Sequence, residues 1–158
     1  MADSGLTAQV REKRPAHPIL EHDATSEWLG ISVQDLADGY AVITMDLRPE
    51  MLNGFSIAHG GMVFAFADTA FALACNPSGA DSLAGMDTIT VASGADINFI
   101  SSARAGDKLR AEASRRAAAG RSGVYDIEVT AESPDGTTRV VAEFRGRSRT
   151  IPNPARRT

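Results

Sequence analysis

The chain carries one cysteine, Cys75, so no disulfide can form within it, and a lone thiol suits a reducing compartment. It also lacks a basic field: Lys and Arg number 16 against 20 Asp and Glu, a formal charge of -4, which argues against nucleic acid as the main partner. Long apolar runs are missing too. Residues 62–67 are apolar, but Asp68 ends the stretch, far short of the roughly 20 residues that span a bilayer. Met1-Ala2-Asp3-Ser4 opens no basic segment followed by an apolar one, so no signal peptide is expected. No repeat or low-complexity tract stands out. The expectation is a cytoplasmic protein with neither membrane nor nucleic acid as partner. What is present, 43% hydrophobic and 23% charged residues over 158 positions, is enough for one domain with a buried core.

Periodicity divides the chain. Residues 1–25 are polar and contain Pro15 and Pro18, and read as a loose arm; residues 152–158, with Pro152 and Pro154, read as a loose tail. The domain is expected over 26–151. Ala41, Ile43, Met45 and Leu47 alternate with Val42, Thr44, Asp46 and Arg48, the period of a half-buried strand. Residues 60–76 form an alanine-rich stretch that reads as a helix, apolar on nearly every side and stopped by Asn76-Pro77-Ser78-Gly79. Alternation then resumes in 88–100, with Gly94 as a bulge or kink. It continues in three further segments, in which Leu109/Ala111/Ala113, Tyr125/Ile127/Val129 and Val140/Ala142/Phe144 form the inward sets. Short breaks between these segments mean hairpins, so the sheet is antiparallel. The fold class is α+β: a curved antiparallel sheet wrapped around one apolar helix, with unpaired edges that call for a dimer.

Asp68 is the anomaly. It sits two turns into the apolar helix, with Thr69 as its polar neighbour. Burial raises a carboxyl pKa towards working pH, which suits a general base or a nucleophile. A core Asp satisfied by a backbone group or an Arg is the other reading, and both stand at this point. The second signal is Ala58-His59-Gly60-Gly61 at the helix start. Glycines let a ligand approach the backbone, and free N–H groups at a helix N-terminus stabilise negative charge such as an oxyanion. A tight turn feeding the helix is the plainer reading, with His59 a hydrogen-bond partner there and not an acid or base. Asp68 lies eight residues beyond Gly60, about 12 Å along the axis at about 1.5 Å per residue. One reacting carbon cannot touch both on one helix, so if both take part, two chains build each site.

With Met51-Leu52-Asn53-Gly54, His59-Gly60-Gly61, the run 66–76, Gly123-Val124-Tyr125-Asp126-Ile127 and Phe144-Arg145-Gly146, the chain resembles the phenylacetate-degradation (PaaI-type) thioesterases of the hotdog superfamily. The resemblance covers residues 27–151. It implies a hotdog fold, a homodimer that pairs into a homotetramer, and hydrolysis of acyl-CoA thioesters with aryl- or hydroxyaryl-acetyl groups favoured. No metal and no cofactor are implied, since coenzyme A is part of the substrate. It gives Asp68 the role of attacking the thioester carbon or activating water. It gives Gly60 N–H the carbonyl, Asn53 the acyl carbonyl or the water, and Thr69 the orientation of water. His59 and Gly61 complete the substrate-binding turn. The family often has His where this chain has Phe55, and Arg-Pro where it has Ser101-Ser102; Phe55 then shapes the acyl pocket or fills space. Arg104, Arg121 and Ser122 lie in turns that reach the CoA nucleotide in this fold, the plainer reading of either arginine being a solvated surface charge. Arg145, Arg147 and Arg149 read as an exposed strand face, Trp28 as core packing, and Cys75 as buried packing rather than a nucleophile. Two other functions remain. A hotdog hydratase or dehydratase would pair Asp68 with a facing His, which is not evident; a non-catalytic acyl-CoA binder would have no use for the Asp.

Overall fold

A computed structural model of the chain describes residues 15–156. Helix α1 (Ala24–Leu29) leads into the hairpin β1 (Ser32–Ala37) and β2 (Tyr40–Asp46). Helix α2 (Gly60–Cys75) follows, then β3 (Thr88–Phe99), β4 (Lys108–Ala119), β5 (Ser122–Glu132) and β6 (Thr138–Pro152). All neighbours are antiparallel in the order β1-β2-β4-β5-β6-β3, which leaves β1 and β3 as open edges. Helix α2 touches all six strands, so one sheet serves as its cover. This is the antiparallel sheet around one helix that the alternation implies, and the hotdog fold that the resemblance implies.

The core lies between the sheet's inner face and α2. Val63, Phe66, Ala67, Ala70, Phe71, Leu73 and Ala74 of the helix are buried there against Ile43, Met45, Leu109, Ile127, Val129 and Phe144. Small residues at Ala111, Ala113, Ala131 and Ala142 let the helix sit close to the strands. Gly146 serves the same end, since a Cβ there would stand 2.7 Å from the Phe71 ring. The helix is not covered on every side. Gly61 and Phe64 are exposed, and Asp68 is partly so and shares a pocket with the open edge strand β3.

Several details differ from the expectation. Alternation puts Val141 on the outer face, yet it is 2% exposed. The register runs from Val129↔Ala142 to Thr130↔Val140, so Val141 is the extra residue of a bulge. Its carbonyl accepts the N–H groups of Ile100 (2.8 Å) and Ser101 (3.3 Å), which turns the chain out of β3. The irregularity expected at Gly94 falls between Ala92 and Gly94, which leaves Ser93 unpaired in the ladder. Trp28, expected in the core, is 52% exposed, with the Arg48 guanidinium 5.1 Å from its ring centre. An indole on a helix of a turn and a half at the sheet margin finds a cation rather than a core.

The ends differ as well. Residues 1–14 of the expected arm and 157–158 of the expected tail lie outside the described residues. The rest of the arm is folded: Pro18–Leu20 form a 3-10 turn, and His17 is buried with Nε2 3.0 Å from the Asn76 carbonyl oxygen. In the tail, Pro152 closes β6 opposite Thr88. Asn153 is buried, its Nδ2 donating to the carbonyls of Leu83 and Met86. Both ends are tied by a buried polar side chain that satisfies main-chain groups, a cause that composition does not reveal.

Candidate active site

The N-terminus of α2 begins with four N–H groups that have no partner inside the helix. His59 is the N-cap: its Nδ1 accepts the Gly61 N–H at 2.9 Å, and its carbonyl accepts Met62 (2.9 Å) and Val63 (3.2 Å). The His59 N–H itself donates to Met51 O at 2.9 Å. Only Gly60 N–H is left without an acceptor among the described residues. His59 therefore serves as a hydrogen-bond partner of the turn, and Gly61 is not available as a donor.

The loop before the helix is held by Asn53. Its Oδ1 accepts the N–H of Phe55 (2.9 Å) and of Ile57 (3.4 Å), and its own N–H donates to Ile57 O at 2.8 Å. This Asx-type turn tolerates Ser56 at φ 59°. The Asn53 Nδ2 group makes no bond to the described residues and remains a donor. Asn53 and Gly60 share a pocket of ≈ 320 Å³ with Val63, Phe99, Ser101 and Val141. A Cβ on Gly60 would meet the Phe99 ring at 3.1 Å, so the glycine admits the aromatic ring against the helix start. Phe55 is 85% exposed at the loop tip and lines neither this pocket nor the core.

Asp68 lies elsewhere. It lines a second pocket, of ≈ 340 Å³, with Phe71, Ala72 and Cys75 of α2, Ile89 to Ala92 of β3, and Ile19 and Leu83. The carboxylate has no hydrogen bond and no ion pair with the described residues. Burial alone raises its pKa above the usual carboxylate range. The reading of a satisfied core Asp thus has no partner to support it. Cys75, in the same pocket, donates its thiol to Phe71 O at 2.8 Å. Burial first, then the Asp68 charge, pushes its pKa up to about 12, so the thiol is held as packing. Thr69 donates its hydroxyl to Ala65 O at 2.9 Å and lines neither pocket.

The basic candidates divide the same way. Arg104 is exposed next to Ala103, whose carbonyl accepts Ala58 N–H at 2.8 Å, so it stands beside the Gly60 pocket. Arg121 lies in the Gly120-Arg121 turn between β4 and β5, while Ser122 opens β5 and lines a separate hollow with Ser93 and Arg147. Neither Arg104 nor Arg121 has a carboxylate partner among the described residues, whereas Arg115, Arg139, Arg145 and Arg147 each do. Among the described residues no three His, Cys, Asp or Glu side chains gather as a metal-binding group. The residues that sequence does not mark are Phe99 and Val141 in one pocket and Ile19 and Leu83 in the other. The exposed aromatic at the end of the long strand is the one signal that points to Phe99.

Two separate features thus stand in one chain: Gly60 N–H and Asn53 Nδ2, without acceptors among the described residues, at one pocket, and a carboxylate of raised pKa, without a partner among the described residues, in another, mostly apolar pocket. Comparison with known proteins agrees with a thioester chemistry. The sequence profile of the thioesterase superfamily matches residues 55–138. The acyl-coenzyme A thioesterase PaaI of Escherichia coli (strain K12) is 41% identical over 136 residues, which is 86% of this chain and 89% of that protein. The structure of the E. coli PaaI protein from the phenylacetic acid degradation operon superposes with a TM-score of 0.75 at 40% identity, covering 88% of this chain and 92% of that one. A mutant of the phenylacetic acid degradation protein PaaI from Thermus thermophilus superposes with a TM-score of 0.68 at 33% identity, covering 80% and 98%.

Proposed function

The chain belongs to the thioesterase superfamily and is a PaaI-type acyl-CoA thioester hydrolase, and from that premise we propose that two copies join along the open β3 edge so that Gly60 and Asn53 of one face Asp68 of the other. The observation that carries this reading is the separation of the two half-sites. The free N–H and the free carboxylate open into different pockets of one chain, and about 12 Å of helix lies between them. Phe64, exposed on α2, and the unpaired β3 edge are the surfaces a second copy would cover.

In the proposed reaction the thioester carbonyl oxygen accepts hydrogen bonds from Gly60 N–H and Asn53 Nδ2. Asp68 takes a proton from a water molecule as that water's oxygen bonds to the carbonyl carbon. The tetrahedral oxyanion is stabilised by the two donors, a contribution of about 10²–10³ in rate for one such donor. It collapses with cleavage of the C–S bond, and the CoA sulfur receives the proton from Asp68. The products are the free acid and CoA, and water is the only second reactant, so no resident cofactor is needed. The raised pKa of Asp68 favours this general-base role. Direct attack by the carboxylate is the other route, and single turnover in heavy-oxygen water separates them by label found in Asp68.

The acyl group we propose is (hydroxy)phenylacetyl or a close relative, by likeness to the PaaI proteins. In this reading Arg104 and Arg121, which have no carboxylate partner among the described residues, meet the CoA phosphates. Thr69 has only acceptor capacity left for a water molecule. The assembly proposed is a homodimer paired into a homotetramer, in the cytoplasm; no helix among the described residues is long and apolar enough to cross a membrane.

The test is CoA release from phenylacetyl-CoA and a small acyl-CoA panel by wild type and Asp68→Asn. Turnover by wild type, lost by orders of magnitude in a folded variant, supports the reading. Binding of CoA esters without release by wild type would replace it with a non-catalytic binder.

A further inference from the structure

The pocket around Asp68 is built almost entirely from α2 with its C-cap Asn76 and from β3, with two exceptions. Ile19 comes from the segment ahead of α1, and Leu83 from the 3-10 turn Leu83–Gly85. Both are partly buried. Apart from Asp68, Asn76 and Thr90, the lining is apolar, with one aromatic ring, Phe71. A carboxylate at the wall of an apolar hollow has its reacting end fixed by Asp68 and its acyl end defined by whatever stands opposite.

Ile19 is held in place by a specific device. His17 is 4% exposed; its Nδ1 accepts the Ile19 N–H at 3.3 Å and its Nε2 reaches Asn76 O at 3.0 Å. With Nδ1 accepting, Nε2 carries the proton and donates to Asn76 O. Asn76 in turn ties α2 to β3: Nδ2 donates to Ala72 O (3.0 Å) and Thr90 O (2.8 Å), and Oδ1 accepts Thr90 N–H (2.9 Å). Asn76 and Thr90 line the same pocket. The segment ahead of α1 is thereby fastened to the pocket's own rim, and the fastening fixes the backbone of the residue whose side chain enters it.

We propose that Ile19 is a specificity-determining residue that limits the size of the acyl group accepted beside Asp68, and that His17 is its positioning residue. The inference rests on the thioesterase reading above. An apolar acyl group is the class that fits. In this assignment Ile19 meets the part of the substrate remote from the scissile bond, so its substitution alters discrimination between acyl groups. One or two methylenes in such a pocket change kcat/KM by about 10-fold or more.

The experiment measures kcat and KM for acetyl-, phenylacetyl- and naphthylacetyl-CoA with wild type, Ile19→Ala, Ile19→Trp and His17→Ala. Ile19→Ala is expected to raise naphthylacetyl relative to phenylacetyl about 10-fold. Ile19→Trp is expected to lower phenylacetyl relative to acetyl by a similar factor. His17→Ala is expected to shift the first ratio in the direction of Ile19→Ala, where a merely structural role would lower all three esters together. If Ile19→Trp does not fold, the Ile19→Ala ratio decides. Variants that fold and leave every ratio at the wild-type value overturn the assignment while the thioesterase reading stands. Wild type inert on all three esters, seen before any variant is made, overturns that reading and this inference with it.

Discussion

His59 Nδ1 accepts the N–H of Gly61 at 2.9 Å, and that one bond leaves Gly60 as the free donor at the start of α2. Removing the imidazole would liberate a second N–H one position further into the helix and remove an N-cap. His59→Ala is expected to cost about 1 kcal/mol of stability, the ordinary value of such a cap. It should also reduce kcat more than it raises KM, because a competing donor misdirects the carbonyl oxygen. Chemical denaturation and steady-state kinetics on one preparation check both parts; unchanged kcat with lowered stability would restrict His59 to capping.

Asp68 makes opposite demands on stability and activity. Its folded pKa is raised by burial, so the neutral form is the one the fold prefers. Stability from this group is fully present below its unfolded value and is lost as pH rises through the folded pKa. Asp68→Asn, always neutral, is therefore expected to melt higher than wild type at neutral pH, and the advantage should vanish in acid. Activity runs the other way, since the base works deprotonated. The acid limb of kcat/KM should lie above the usual carboxylate range and be absent from the residual rate of the Asn variant. Melting curves and rate profiles across pH test the two together.

Asn53 has two ends with separate tasks. Oδ1 holds the loop through Phe55 and Ile57, while Nδ2 is left for the pocket that Asn53 lines. Asn53→Asp keeps the acceptor and removes the donor, so the loop should stay intact while kcat falls by about 10²–10³. Asn53→Ala should lose stability as well, by about 1 kcal/mol or more for the unsatisfied N–H groups. If both variants lose rate and stability equally, the donor role is wrong.

The imidazole of His17 is held neutral by burial, which lowers its pKa, although backbone acceptors at Asn76 and Leu73 work against that shift. Glu21 and Asp81 share its hollow, yet desolvation is the largest influence. For a group whose folded pKa is depressed, the contribution to stability is complete above the unfolded value of about 6.5 and is lost as pH falls through the folded pKa. Wild type should lose stability through that window, and His17→Gln should flatten the loss. NMR titration of the ring gives the direct reading: a midpoint at or above the free value would contradict it.

Much of this structure is written plainly in the chain. Alternation in residues 122–132 fixes a strand and its inner face, because a strand has only two sides; in residues 40–48 it gives the strand, but Val42, expected to face outward, is buried along with Ala41 and Ile43. The alanine-rich stretch can be little but a helix, and its length alone places Gly60 and Asp68 too far apart for one carbon. What escapes is whatever depends on a distant partner. Val141 faces inward because its carbonyl is claimed by Ile100 and Ser101. Helix α1 has an Asp23 cap and Gly30 at φ 71°, both readable signals, but six residues are too few to show a period. Ile19 enters the Asp68 pocket through the His17–Asn76 bond, which joins positions 59 residues apart. Trp28 shows the converse, a large apolar ring placed by a cation and not by the core.

The bare backbone at Gly146 has a bearing on how genetic data for this protein would be interpreted. Any side chain there would push into Phe71, and Phe71 is also a wall of the Asp68 pocket. Tight packing transmits that push rather than absorbing it. A library screened only for loss of hydrolysis would therefore score position 146 on β6 beside Asp68 itself, although the two stand on different elements, far apart along the chain. Sorting such hits by whether the protein still accumulates in the cell would separate a displaced ring from a missing carboxylate.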